Sequence, residues 1–270
     1  MLTPYFAWRS SHRRHHIYAN NMQLDHNYVP PRRAAYMQAF WGKLQRVEDV
    51  TEDAPIVTLL RLTVQQIFGF PFYLLNNITA SPTSLPRVPS KLFFVNGHFN
   101  PFGPLFRPAE AHLILLSDIG VLAAAAAVYL LSIRIGSAWT MLLYLQPYVW
   151  VNHWIVAITY LHHTHPNLPK FEHQSWTFLK GALATIDRDF GLIGKRIPFY
   201  HAEEATKAIV PLLGEDYRSD KMRWFLPSLW ESFTKCQWVE PDAVANPQDQ
   251  ALWYRSGPSP PPQLAMIKLD

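Results

Sequence analysis

Hydrophobic and polar positions divide the chain into blocks of different character. Residues 113–133 hold one charge, Asp118, and a run of five alanines, while residues 138–161 hold no Asp, Glu, Lys or Arg. A helix needs about 20 apolar residues to cross the hydrocarbon core, so each block is long enough. Only residues 134–137 separate them, which leaves room for nothing but a tight turn. The pattern predicts a transmembrane helical hairpin whose two flanks lie on one side of the membrane. Buried helices of a soluble protein rarely lack charges on every face. Residues 54–75 are also apolar, but Arg61, Gln65, Gln66, Gly69 and Pro71 interrupt them, and they read as an amphipathic helix lying in the interface. A polar, aromatic and basic segment precedes them, and a Pro-rich connection covers 76–110. From His162 onward the chain reads as soluble and mainly helical to Trp238. Residues 243–270, with a Pro-Ser-Pro-Pro-Pro run, predict a tail without fixed structure. The expected fold class is all-α. It is a multi-pass membrane protein with one hairpin, one interfacial helix and a cytosolic, histidine-rich helical region, all within a single domain over residues 1–270.

Composition supports this reading. Only 16% of residues are charged, against about 25% in ordinary soluble domains. With 10 Trp, 12 Tyr and 16 Phe, the chain is rich in the side chains that sit at a water–lipid boundary. Before His112 there are eleven Lys and Arg against six Asp and Glu. Nearly all basic residues flank the hairpin, so the flanks and both termini are expected on the cytosolic side. The basic first third suits anionic lipid headgroups, and no recognisable nucleic-acid module accompanies it. One cysteine, Cys236, excludes an internal disulfide framework and fits a reducing compartment.

Twelve histidines are present, and they cluster. His12, His15 and His16 have H-x-x-H-H spacing, which on a helix places three imidazoles on one side. Such a set suits iron, zinc or copper better than magnesium or calcium; a basic interfacial helix is the other reading. A second cluster, His162-His163-Thr164-His165, sits at the end of the second span, preceded by Asn152, His153 and Thr159. Polar groups in a membrane are costly and usually functional, although an interfacial histidine needs no metal. Asp187 and Asp189 are candidate acceptors behind the imidazoles, or members of a solvated salt-bridged turn. G-x-G-x-x-G, H-E-x-x-H and G-x-S-x-G are all absent, so no nucleotide, zinc-protease or hydrolase site is suggested.

Longer stretches carry a family resemblance. Y-F-A-W-R-S-S-H-R-R-H-H at 5–16 resembles the second histidine box of delta-12 acyl-lipid desaturases of fungi and plants. I-T-Y-L-H-H-T-H-P-N-L-P at 158–169 resembles the stretch after that family's last span. G-A-L-A-T-I-D-R-D-F-G at 181–191, I-P-F-Y-H-A-E-E-A-T-K at 197–207 and V-E-P-D at 239–242 match further segments. The resemblance implies a di-iron centre under the membrane with His12, His15, His16, His163 and His165 as ligands, and Asp187, Asp189 and Thr159 behind them. It implies an oxidoreductase of the endoplasmic reticulum that uses dioxygen to place a cis double bond in an acyl-lipid or acyl-CoA chain. Cytochrome b5, as a separate protein, would be the electron donor. Related di-iron sites also hydroxylate or act on polyketide-derived acyl chains, and a membrane paralogue that binds lipid without iron is the non-enzymatic alternative. The sequence departs from the family in three places. His162 stands where Gln is common. The first box, H-E-C-G-H, is expected upstream, and the third, another H-x-x-H-H, is expected near Lys195 and Arg196, where it is missing. The retained positions offer about half of a di-iron ligand set.

Overall fold

The computed structural model describes residues 2–38, 55–80, 94–188, 202–242 and 250–256. Helix α1 spans Tyr5–Tyr18 and buries Ala7, Ser11 and His15, one side chain per turn on a single face. It ends at Asn20, whose backbone adopts φ 64°, a conformation that Asn tolerates better than most residues. A short α2, Arg33–Gln38, follows. Next comes α3, Pro55–Asn76, which confirms a helix where the interrupted apolar pattern predicts one.

Helix α4, Ala111–Ile135, is preceded by a 3-10 turn at Pro108–Glu110. Together they form the one described helix that is long and apolar enough to cross a membrane, and little of it is covered by the rest of the chain. Gly136, at φ 88°, ends it; a side chain there would be strained. Helix α5, Ser137–Thr140, then leads through a π turn at Met141–Leu145 into α6, Gln146–His163. Pro147 explains the widened turn, because its ring crowds the carbonyl four residues back and it has no amide hydrogen to donate. The second apolar block is thus helical but not uniform, broken by a turn that its composition does not announce.

Helices α7, Phe178–Leu183, α8, Ala202–Leu213, and α9, Phe225–Lys235, complete the helical part. The all-α expectation needs one correction. Strands β1, Pro169–Lys170, β2, Trp238–Pro241, and β3, Leu252–Arg255, form an antiparallel sheet in the order β1-β3-β2. Lys170 pairs with Leu252, and Val239 pairs with Tyr254. The strands are short and rich in aromatic and β-branched residues, which suit a pleated, half-buried surface. β3 lies inside the stretch expected to lack fixed structure. Its Leu252 and Tyr254 alternate inward against Met22, Cys236 and Val239, an alternation too short to stand out from the Pro-rich sequence after it.

Two further clusters position the site. α3, α6 and α9 meet through Leu62, Ala157, Leu161, Phe225 and Leu229. α1 and α4 meet through Ala7, Phe106 and Ile114, and Ser117 accepts the Phe6 amide at 2.8 Å.

Candidate metal centre

The histidines of α1 do not form one group of three. Three residues advance a helix by about 300° and four by about 400°, so His12 and His16 nearly eclipse while His15 points some 100° away from His16. The side chains follow this geometry. His12 Nε2 and His16 Nε2 lie 3.0 Å apart, and the His12 ring stacks on Trp8. His15 turns instead toward the end of α6, where its Nε2 comes within 3.3 Å of His163 Nε2. The two pairs adjoin, with ring centroids of His12 and His15 at 6.1 Å and of His15 and His16 at 5.7 Å. Three imidazoles of α1 and one from the end of α6 therefore form a quartet of two pairs.

Asp25, which the sequence does not advertise, orients one of them. Its carboxylate is buried and accepts the His15 Nδ1 hydrogen at 2.8 Å, while the same oxygen accepts the Asn27 amide at 2.9 Å. This fixes the His15 tautomer and leaves its Nε2 lone pair aimed at His163, the arrangement that commonly backs a metal-bound histidine. Spacing alone could not reveal it, because the acid lies in an irregular loop seven residues past α1. His163 is held from the main chain. Its carbonyl accepts the Lys170 ammonium at 3.0 Å and the Tyr254 hydroxyl at 3.3 Å. The Lys170 ammonium also donates to the Asn20 side chain, and Asn20 donates to the Gly181 and Ala184 carbonyls. Gly181 allows the approach, since a Cβ there would lie 2.4 Å from the Ala19 carbonyl oxygen.

Burial favours the neutral form of His12, His16 and His163. It pushes His12 down to about 4, with His16 and His15 adding to the shift. It lowers His16, again with help from His15. His163 falls well below the ordinary value, first through burial and then through His15 and Lys170. Neutral imidazole is the form that binds metals.

The remaining expected residues lie elsewhere. His165 Nδ1 accepts the Asn167 amide at 3.1 Å, and its Nε2 faces Asp220 at 3.8 Å. Burial, then Arg188, pushes this imidazole down to about 4. The Thr159 hydroxyl donates to the Ile155 carbonyl of its own helix at 2.6 Å. Asp187 accepts the Tyr217 hydroxyl at 2.5 Å and pairs with Lys221 at 3.0 Å. Its place is on the far wall of a cavity of about 670 Å³ that His15, His16 and His163 also line, with Leu183 and Val210 among its apolar residues. Asp189, His201 and the Lys195–Arg196 junction lie outside the described residues. His98 is engaged away from the quartet, with its Nε2 2.9 Å from the Ser11 hydroxyl.

The donor chemistry fits iron, and the spacing fits it in pairs. Two ligands at about 2.1 Å from one ion and at right angles to each other lie about 3 Å apart, close to the separations within both pairs. Among the described residues no three His, Cys, Asp or Glu side chains gather around a common point. The quartet is thus arranged as two pairs of imidazoles rather than as a closed cage for one ion.

No family model matches the chain, and no solved structure matches it. Curated proteins do. The chain is 39% identical to an oleate hydroxylase of Claviceps purpurea, over 95% of this chain and 60% of that protein. It is 34% identical to a delta(12)-oleate desaturase of Trichosanthes kirilowii, over 94% of this chain and 68% of that one. It is also 34% identical to an omega-6 fatty acid desaturase of Glycine max named as an endoplasmic reticulum isozyme, over 95% and 66%. The chain spans 60–68% of the length of these relatives.

Proposed function

The chain belongs to the fatty acid desaturase family, to its delta-12 desaturases and oleate hydroxylases, and from that membership we propose that it is a membrane oxidoreductase acting on an acyl chain at the histidine quartet. His12 with His16 would hold one iron and His15 with His163 the second, together about half of a di-iron ligand set. The iron pair supplies the oxidising power to remove hydrogen from an unactivated methylene using dioxygen. The protein's own residues do the rest. Asp25 keeps the His15 lone pair aimed inward, and Lys170 with Tyr254 holds the His163 carbonyl and so the end of α6. α7 and α8 line the cavity beside the quartet with Leu183, Ile209, Val210 and Leu213, a wall on which a hydrocarbon chain could lie, with Asp187, Asp216 and Arg218 also on its lining.

The wider reading follows the same membership. Residues 113–133 and 138–161 form a hairpin in the endoplasmic reticulum, with both flanks cytosolic and the quartet just beneath the membrane. The helix at 55–76 lies along the interface. Acyl-lipid or acyl-CoA is the substrate class, and a separate cytochrome b5 is the electron donor. The observation that carries the reading is the meeting of His15 and His163 across 148 residues of sequence at 3.3 Å.

The test is expression in a yeast without polyunsaturated fatty acids, using the chain extended with the family's upstream hairpin and an H-x-x-H-H segment at Lys195/Arg196. Linoleate is expected from the extended chain and none after His15→Ala. Hydroxylated oleate in place of linoleate would assign the hydroxylase outcome. An extended chain inert in both respects, or one indifferent to His15→Ala, would overturn the proposal.

A further inference from the structure

Helix α9 lies within the part of the chain that reads as soluble, yet its packing places one end beside the membrane segment. At its C-terminal end the Ser232 hydroxyl donates to the Thr164 carbonyl at 2.9 Å, and the Tyr160 hydroxyl donates to the Ser232 carbonyl at 3.1 Å. At its N-terminal end the Phe225 ring lies 5.1 Å from Trp154 and 5.9 Å from His153. Between these ends Leu229 packs with Ala157 and Leu161. α9 therefore runs parallel to α6. From Thr164 to Trp154 is ten residues, so its N-terminus stands about 15 Å up α6 from the level of the quartet. One turn beyond Trp154, the α6 side chains Trp150 and Val151 are exposed, as they would be against lipid.

The residues at that end have the composition of an interfacial anchor. Lys221-Met222-Arg223-Trp224-Phe225-Leu226 alternates cations with large apolar side chains. Phe225 faces the core, but Met222 is 91% exposed, Trp224 71% and Leu226 64%. Trp230, a turn after Leu226, continues the stripe. A surface that shows Met, Trp and Leu together in this way marks an interaction site. The charges around it are largely cancelled: Arg223 pairs with Glu231, Lys235 pairs with Glu231 at 2.8 Å, and Lys221 pairs with Asp187 at 3.0 Å. Water gains little from contact with this tip, and a bilayer loses little by admitting it.

We propose that the N-terminal tip of α9, through Met222, Trp224 and Leu226, inserts into the cytosolic leaflet beside α6, giving the chain a membrane contact outside its hairpin. The occupant is lipid, because the tip stands level with the lipid-facing stretch of α6 and continues its aromatic rim. Insertion rests mainly on apolar contact, since both cations of the tip are already paired. The inference depends on the hairpin reading of 113–133 and 138–161, so its test includes the hairpin.

In the full chain with Cys236→Ala, single cysteines at Met222, Leu226, Leu122 and Asp216 carry nitroxide labels in nanodiscs of phosphatidylcholine with phosphatidylserine. Collision with oxygen and with a water-soluble nickel chelate then reports the surroundings of each label. Labels at 222 and 226 are expected to favour oxygen several-fold over the label at 216, at a shallower depth than the label at 122. The pattern is expected to persist when phosphatidylserine is omitted. Labels at 222 and 226 that match 216, while 122 remains in lipid, would overturn the insertion alone. An aqueous label at 122 would overturn the hairpin and the insertion with it. A measurement free of labels checks the same point. Phospholipid brominated near the headgroup should quench about a tenth less of the total tryptophan fluorescence after Trp224→Ser, and unchanged quenching would also refute insertion.

Discussion

The histidine quartet and the long apolar helix α4 are held on opposite terms. Around the quartet named polar contacts do the holding: Asp25 on His15, Lys170 and Tyr254 on the His163 carbonyl, Asn20 on two carbonyls of the 181–184 turn. In α4 the side chains Leu122, Tyr129 and Ile133 are exposed among the described residues. One region is specified residue by residue, and the other by what surrounds it. The first should therefore fail on single atoms. The second should fail only on a change of chemical class.

The largest expected effect is in the first region. In the extended chain, substituting any one of His12, His15, His16 or His163 with Ala should abolish product formation, as gas chromatography of total fatty acids would show. His173→Ala, whose Nδ1 lies 3.5 Å from the Asn21 amide nitrogen, should leave it intact. Activity surviving the loss of any of the four would break the comparison at its stronger end.

The hairpin supplies the next effect. An arginine at Val149 should oppose insertion by about 2.5–3.5 kcal/mol on translocon scales, read as a fall in the membrane-inserted fraction of an in vitro translation. Leu122→Ala in the same hairpin should scarcely change that fraction. Equal effects from both substitutions would mean that the hairpin is specified side chain by side chain after all.

Asp25→Ala tests orientation without touching a proposed ligand. Removing the acceptor behind a metal-bound histidine typically weakens affinity by about 10–100-fold. Titration of the purified chain with cobalt(II), followed by its visible absorption, should show a shift in that range. A shift no larger than twofold would deny Asp25 its orienting role.

The smallest effect is a dependence on pH. The imidazoles of His12, His16 and His163 are harder to protonate in the folded chain than in the unfolded one. Below the ordinary histidine value near 6.5 the unfolded state takes up protons that the folded state refuses, so stability falls with pH. For His12 this loss runs from about 6.5 to about 4. Thermal unfolding in detergent should occur at lower temperature at pH 5 than at pH 7, and a flat profile would contradict the assigned neutrality.

How far the sequence could be read differs between the same two regions. The span at 113–133 is legible because lipid acts on composition, which any window of residues displays. The helical phase of His12, His15 and His16 is legible too, but their partners are not. Nothing local says that His15 leaves its neighbours for His163 or that Asp25 stands behind it. Lys221 and Arg223 likewise meet Asp187 and Glu231 only through the fold. β3 was missed because four residues cannot announce a strand whose partners lie far away along the chain.

The order of the strands bears on how the protein is made. β3 lies at the centre of the sheet but follows both its partners in sequence. A ribosome that has not yet reached Leu252 has already delivered all four imidazoles. It has delivered neither the strand that pairs with Lys170 nor the tyrosine that holds the His163 carbonyl. Every nascent chain therefore passes through a stage in which the quartet is present without Tyr254 on the His163 carbonyl. A stop codon just before Leu252 would hold the protein there for good.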